Sequence, residues 1–145
     1  MERLEQEEVS VPVVVEFDDV DSFRLAHHAR LVSYLERGRL RLLASLGMNL
    51  DGDGIAPVMY ELNLRFRKPA RLLEELKVTV FVREFDDYRL ALGYRIHRDG
   101  ETLVRARSVI AFADLSSGSL TTMPSEMTRT LRDLSGGQAA RDQEG

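Results

Sequence analysis

Asp18-Asp19-Val20-Asp21 is followed, seven residues after its last aspartate, by His28, and an apolar, helix-patterned segment begins at that histidine. A carboxylate can attack an electrophile directly or take a proton from water. The start of a helix adds backbone N–H groups without intrahelical acceptors at the positive end of the helix dipole, a ready anion site. A carboxylate and an imidazole beside such a helix start suit a reaction that develops negative charge on an oxygen, such as attack on a thioester carbonyl. Several other chemistries lack the residues they need. There is no cysteine, hence no disulfide, thiolate zinc site or cysteine nucleophile. Three histidines without ligand spacing argue against a metal site. No glycine-rich phosphate loop sits in a βαβ unit, which argues against a nucleotide-binding fold.

The elements that must hold these residues follow from periodicity. A valine-rich strand is expected from Val9 to Phe17, with Pro12 pushing it toward a sheet edge. From about His28 to Leu46, Leu31, Leu35, Gly38, Leu42 and Leu46 form one helical stripe that stops at Gly47. Gly38 inside that stripe costs about 1 kcal/mol relative to alanine, so it marks a close approach to a sheet. Asn49 to Gly54 reads as turn chemistry, since the twelfth position from Asp51 is Leu62 and not a calcium-binding glutamate.

Four strands come next. Val58, Tyr60, Leu62, Leu64 and Phe66 alternate with Met59, Glu61, Asn63, Arg65 and Arg67. Lys77 to Arg83 and Arg89 to His97 follow, Asp99-Gly100 signals a hairpin, and Leu103 to Leu115 is a last strand expected to be covered on both faces. Ser125 is expected to cap a short helix ending at Leu134. One strand, one long helix and four antiparallel strands make an α+β fold, a curved sheet of about five strands wrapped around one central helix. A single domain is expected over 1–135, with a polar, disordered tail at 136–145.

Composition narrows the setting. Charged residues make up 30% of the chain but the net charge is only −4, so no global field draws it to nucleic acid or anionic membrane. No apolar run approaches the roughly 18 residues a membrane span needs. The first eight residues are acidic and polar, the opposite of a signal peptide, so a soluble cytoplasmic protein is expected.

This order of elements, with Asp19-Val20-Asp21, His28 and Tyr34-Leu35-Glu36-Arg37-Gly38-Arg39, resembles the hotdog-fold acyl-CoA thioesterases of the 4-hydroxybenzoyl-CoA thioesterase family, which includes the YbgC-like proteins. Lys68-Pro69-Ala70-Arg71-Leu72 is similar to the family's Pro-Ala-Arg-Leu turn, and Asp99-Gly100, Ala106 to Asp114 and Pro124 to its closing segments. The likeness covers about residues 9 to 127. It implies an acyl thioesterase that uses no metal or redox cofactor, with CoA, or acyl carrier protein, present only as part of the substrate. It also implies a homodimer joined sheet edge to sheet edge, paired into a homotetramer, with active sites at the subunit interface. An unprotected sheet edge independently favours such assembly.

By the same resemblance Asp21 falls on the catalytic carboxylate, as nucleophile or general base, and His28 on the histidine at the helix start. Glu36 is a secondary candidate that would face the site across a dimer; otherwise it pairs with Arg37 or Arg39 as surface charge. Arg65, Arg67 and Lys68 form a basic edge that either meets CoA phosphates or is a solvated strand face. Asp18 and Asp19 read as structural and His97 as surface. The chain departs from the family where Ser22-Phe23-Arg24 replaces small, glycine-containing residues, a change that either reshapes the acyl pocket or closes it. It departs again at Arg30-Leu31, where the family has Asn-Tyr, and at Arg83-Glu84-Phe85-Asp86-Asp87, which puts acid into a turn that is basic in some members. Two rivals remain: a hydratase or dehydratase acting on acyl thioesters, and a non-catalytic acyl-CoA-binding protein.

Overall fold

The computed structural model describes the backbone at 2–3, 7–52 and 54–144 and the side chains at 7–52 and 54–137. The elements are β1 (Glu2–Arg3), β2 (Glu8–Val14), α1 (His28–Ser45), β3 (Ile55–Phe66), β4 (Glu75–Phe85), β5 (Leu90–Arg98), β6 (Glu101–Asp114), β7 (Leu120–Thr121) and α2 (Ser125–Glu144), with one 3-10 turn at Phe17–Asp19. They form an antiparallel sheet in the order β1-β4-β5-β6-β3; β2 also pairs with β4, and β7 with β6. The α+β architecture is the expected one. Pro12 sits on an edge strand, as its missing N–H requires. Asp99 (φ 48°) and Gly100 (φ 82°) form the tight turn of the β5–β6 hairpin.

Helix α1 lies against β2 and β4, burying Leu31, Tyr34, Leu35, Leu42 and Leu43. Each large apolar side chain removed from water contributes about 1.5–3 kcal/mol. Gly38 is the contact point. A Cβ there would lie 2.6 Å from Cγ2 of Val80 and 3.0 Å from Cγ1 of Val78, so the backbone of α1 rests on β4.

Three expectations need correction. The alternation along β3 is not continuous, because the β3–β6 register shifts between Met59 and Glu61. The extra residue reverses which side faces inward. Met59 and Leu64 pack on the core, whereas Val58 and Tyr60 point outward, 39% and 57% exposed. Strand β6 is covered on both faces at Leu103–Val104 and around Ile110 to Phe112 but not between them, where Arg105 and Arg107 are exposed. Finally, the chain is helical through Glu144, beyond the Leu134 limit and into the segment expected to be unstructured. Ser125 opens this helix; the Pro124 carbonyl, not Ser125, holds its first turn, accepting from Thr128 N–H at 3.1 Å. Met127 and Leu131 anchor α2 in the core, and Ala139, Ala140 and Arg141 are good helix formers that extend it.

Candidate active site

The site is assembled where β2 ends. Leu73 N–H donates to Val15 O at 2.7 Å and Val15 N–H to Glu74 O at 3.0 Å, which fixes the exit of the strand. The 3-10 turn then folds Asp19 inward. Its Oδ2 accepts Glu16 N–H at 3.0 Å and the Tyr34 hydroxyl at 2.6 Å, while Arg30 Nε lies 3.7 Å from Oδ1. Asp19 is only 7% exposed. Burial alone would raise its pKa, but the two hydrogen bonds, with Arg30 and Arg37, outweigh burial and hold it below the ordinary carboxylate value. Burial and the bond to Asp19 push the Tyr34 hydroxyl well above its ordinary value, so it remains a donor.

From Asp19 the chain makes a tight loop closed by a bridge between Val20 and Ala26. Asp21 holds the loop together. Its Oδ1 accepts Phe23 N–H at 2.8 Å and Leu25 N–H at 3.2 Å, and its own N–H donates to Leu25 O at 2.9 Å. Oδ2 meets no donor among the described residues. Arg24 takes the left-handed conformation, φ 63°, that favours glycine. At this one position the loop takes a backbone conformation that glycine would adopt without strain. Phe23 is 81% exposed, and neither it nor Arg24 lines the groove described below; within one chain they do not close it.

The Lys68–Leu72 turn supports the loop from the far side. Ala26 N–H donates to Ala70 O at 2.8 Å, Leu72 N–H to Arg24 O at 3.1 Å, and Leu25 bridges Arg71. Two motifs more than forty residues apart thus form one floor. His27 caps α1: its N–H donates to Asp19 O, and its carbonyl accepts Arg30 N–H and Leu31 N–H at 2.9 and 3.2 Å. The N–H groups of His28 and Ala29 meet no acceptor among the described residues, as the first turn of a helix leaves them.

Asp21, His28, Arg67 and Lys68 line one groove of about 290 Å³, with Leu25 and Leu31 supplying apolar wall. Phe66 also lines it, stacked on the His28 ring with centroids 4.4 Å apart and planes 24° from parallel. Lys68 Nζ is 3.4 Å from Glu101 Oε1. Arg65 and Glu36 are not part of this groove. Arg65 lies on the outer face of the sheet. Glu36 is about 12 Å further along the helix at 1.5 Å per residue, exposed and 3.7 Å from Arg39. Phe66 escaped the sequence argument because its strand pattern places it with the core-facing residues; its role comes from stacking on a helix nearly forty residues away. His97 is half-buried rather than free on the surface, with Nε2 3.0 Å from the Thr79 hydroxyl.

A carboxylate with one oxygen free of described donors, the N–H groups of a helix start and an apolar, cation-edged groove thus border one space. Residues 15–131 match the model of the thioesterase-like superfamily, and the chain belongs to that family. It is 26% identical over 129 residues to the acyl-CoA thioesterase YbgC of Haemophilus influenzae, a match that covers 86% of this chain and 95% of that one. The 1,4-dihydroxy-2-naphthoyl-CoA thioesterase of Synechocystis superimposes with a TM-score of 0.78 at 16% identity, covering 88% of this chain and 98% of that one. A Staphylococcus aureus protein solved in complex with CoA gives a TM-score of 0.82 at 14% identity, covering 92% and 87%. These structures share the hotdog fold. No helix among the described residues is long and apolar enough to cross a membrane.

Proposed function

We propose that the protein hydrolyses an acyl-CoA thioester to a free acid and CoA, and that Asp21 is the catalytic carboxylate. The observation that carries this reading is the shared groove, in which Asp21 and the unpaired N–H groups of His28 and Ala29 border the same space. In one route Asp21 takes a proton from water and the hydroxide adds to the carbonyl carbon. The carbonyl oxygen becomes negative and is held by the N–H donors at the positive end of α1. Collapse expels the CoA thiolate, which takes up the proton, and leaves the acid. In the other route Asp21 attacks directly, the thiolate leaves, and water hydrolyses the resulting anhydride. The His28 ring, braced by Phe66, orients the acyl carbonyl. Arg67 and Lys68, with Arg65 beyond them, receive phosphate groups of the carrier.

The free edge of β3 supports assembly. Among the described residues this twelve-residue strand pairs only with β6, and it exposes Val58 and Tyr60. A dimer formed there, or a tetramer of such dimers, is the setting in which Glu36 would reach a site. The deciding experiment is thiol release over a panel of aromatic, short and long acyl-CoAs. Asp21→Asn keeps the Oδ1 acceptor of the loop and removes the charge, so activity is expected to fall about 10²–10⁴-fold with the melting curve little changed. Wild-type inactivity across the panel, or full activity in Asp21→Asn, sinks the proposal.

A further inference from the structure

The side of the sheet that faces α1 holds a polar cluster which neither the core nor the proposed hydrolysis uses. Tyr94 of β5 and Ser108 of β6 are each 2% exposed and are paired with Val80, Leu92 and Ala106 on the neighbouring strands. Their hydroxyl oxygens lie 2.6 Å apart. Two hydroxyls bonded to each other use one hydrogen; whichever donates, the other hydrogen meets no acceptor among the described residues. Buried donors in that state are rare, because each forfeits its hydrogen bond to water. Arg39 of α1 adds donors and no acceptor. Its guanidinium lies against the Tyr94 hydroxyl as a donor. The Arg39 side chain is only 17% exposed, and Glu36, its ion-pair partner at 3.7 Å, is more than half exposed. Burial pushes the Tyr94 hydroxyl above its ordinary value, against the pull of Ser108 and Arg39, so it stays protonated at neutral pH. The cluster is cationic and rich in donors, and what it lacks is an acceptor.

Two runs of residues connect this cluster to the Asp21 groove. Phe66 lines the groove and stacks on His28. From there the inward residues of β3 are Leu64, opposite Ala106, and Leu62, opposite Ser108, and both are half-buried. The step from Phe66 to Leu62 is about 13 Å along an extended strand. The step from His28 to Arg39 is about 16 Å along a helix. Both runs begin at the His28–Phe66 stack and end at the cluster, so an extended chain that starts in the groove and follows them reaches Arg39. The far end is also positive: Arg37, Arg39 and Arg41 stand against Glu36 alone on that stretch of α1. A guanidinium pairs with a carboxylate through two parallel hydrogen bonds.

We infer that Arg39, held by Tyr94 and Ser108, selects the acyl group by binding a carboxylate at its far end, so that the preferred thioester is that of a dicarboxylic acid. An extended chain advances about 1.2 Å per covalent bond, which sets its length at about ten to twelve carbons. Arg39 is the residue that touches the ligand, and Tyr94 and Ser108 are positioning residues. That the ligand is an acyl chain rests on the thioesterase reading; recognition of a carboxylate by the cluster does not.

The test compares decanedioyl-CoA with decanoyl-CoA, which differ only in the distal carboxylate, on the full chain. Thiol release gives kcat/KM for each, and calorimetric titration of both thioesters into wild type and Asp21→Asn gives their affinities apart from the chemistry. Wild type is expected to favour decanedioyl-CoA by at least about tenfold in kcat/KM. The ratio is expected to fall to about one in Arg39→Gln and to an intermediate value in Arg39→Lys, which keeps the charge without the planar fork. Tyr94→Phe is expected to lower it as well, because the guanidinium loses its support. If Arg39→Gln does not fold, Arg39→Met, which keeps the apolar stem, takes its place. Thiol release with no preference for the diacid, or a preference that survives in Arg39→Gln, overturns the site and leaves the thioesterase reading standing. Absence of thiol release from both thioesters, with tighter and Arg39-dependent binding of decanedioyl-CoA, overturns that reading and supports the site. Equal binding of the two thioesters without thiol release overturns both.

Discussion

Tyr34→Phe removes a single oxygen from the junction that holds the Asp21 loop to α1. That hydroxyl donates a 2.6 Å hydrogen bond to Oδ2 of Asp19, and both residues are buried. The aromatic ring remains, so no cavity beyond the size of a hydroxyl opens. Asp19 keeps the Glu16 N–H at 3.0 Å and the longer approach of Arg30 at 3.7 Å. A hydrogen bond to a charged group contributes about 1.5–3 kcal/mol; with one close donor retained, a loss of about 2 kcal/mol at pH 7 is expected. In a domain near 150 residues that lowers the melting midpoint by about 4–8 °C. The sign of the pH dependence follows from the depressed pKa of Asp19. Such a carboxylate stabilises the fold above its unfolded-state pKa and loses that contribution as pH falls through its folded-state pKa. Losing the Tyr34 donor moves the folded pKa upward, so the deficit of the variant is largest near neutral pH and shrinks below about pH 4. Urea unfolding of both proteins at pH 7 and pH 3 measures this directly. A deficit under about 0.5 kcal/mol at pH 7, or one of equal size at both pH values, would refute the account of a buried, charged Asp19 held by Tyr34.

Other perturbations test separate parts of the structure. Gly38→Ala gains about 1 kcal/mol of helix propensity but drives a methyl group to 2.6 Å from Val80; overpacking of about 1–3 kcal/mol should win, and a raised melting temperature would show that α1 does not rest on β4 there. Arg24→Gly relieves the left-handed strain at φ 63° and is expected to stabilise the fold by up to about 1 kcal/mol in chemical unfolding; destabilisation would mean that the Arg24 side chain makes a contact worth more than its backbone strain. Val58→Lys/Tyr60→Lys places two cations on the edge of β3, and sedimentation velocity is expected to show the edge-to-edge dimer proposed there dissociating; a sedimentation coefficient unchanged from wild type refutes an interface on that edge.

The elements were legible in the sequence wherever local pattern and burial agree. The stripe from Leu31 to Leu46 reads as α1 almost to the residue, because its spacing matches one buried face of a helix. Asp99-Gly100 reads as a turn because few other pairs tolerate two positive φ angles. The pattern failed at β3, where one bulged residue inverts the faces of Val58 and Tyr60. A bulge arises from pairing with a particular partner strand, and periodicity within one strand contains no information about that partner.

For the site, the residue types and the order of motifs identify the family by themselves and single out Asp21 and the start of α1 as candidates, since a carboxylate, a capped helix and a turn motif are local properties. The tertiary structure alone decided which groups meet. It brought the Lys68–Leu72 turn beneath the Asp21 loop, placed Phe66 on His28, separated Arg65 and Glu36 from the groove and aligned Arg95, Arg105 and Arg65 across three strands. It also showed that Arg24 takes a left-handed, glycine-like backbone conformation and that Phe23 and Arg24 leave the groove open within one chain. The physical reason is range. Propensity, capping and periodicity act over a few residues, whereas stacking, register and charge alignment depend on contacts between segments tens of residues apart.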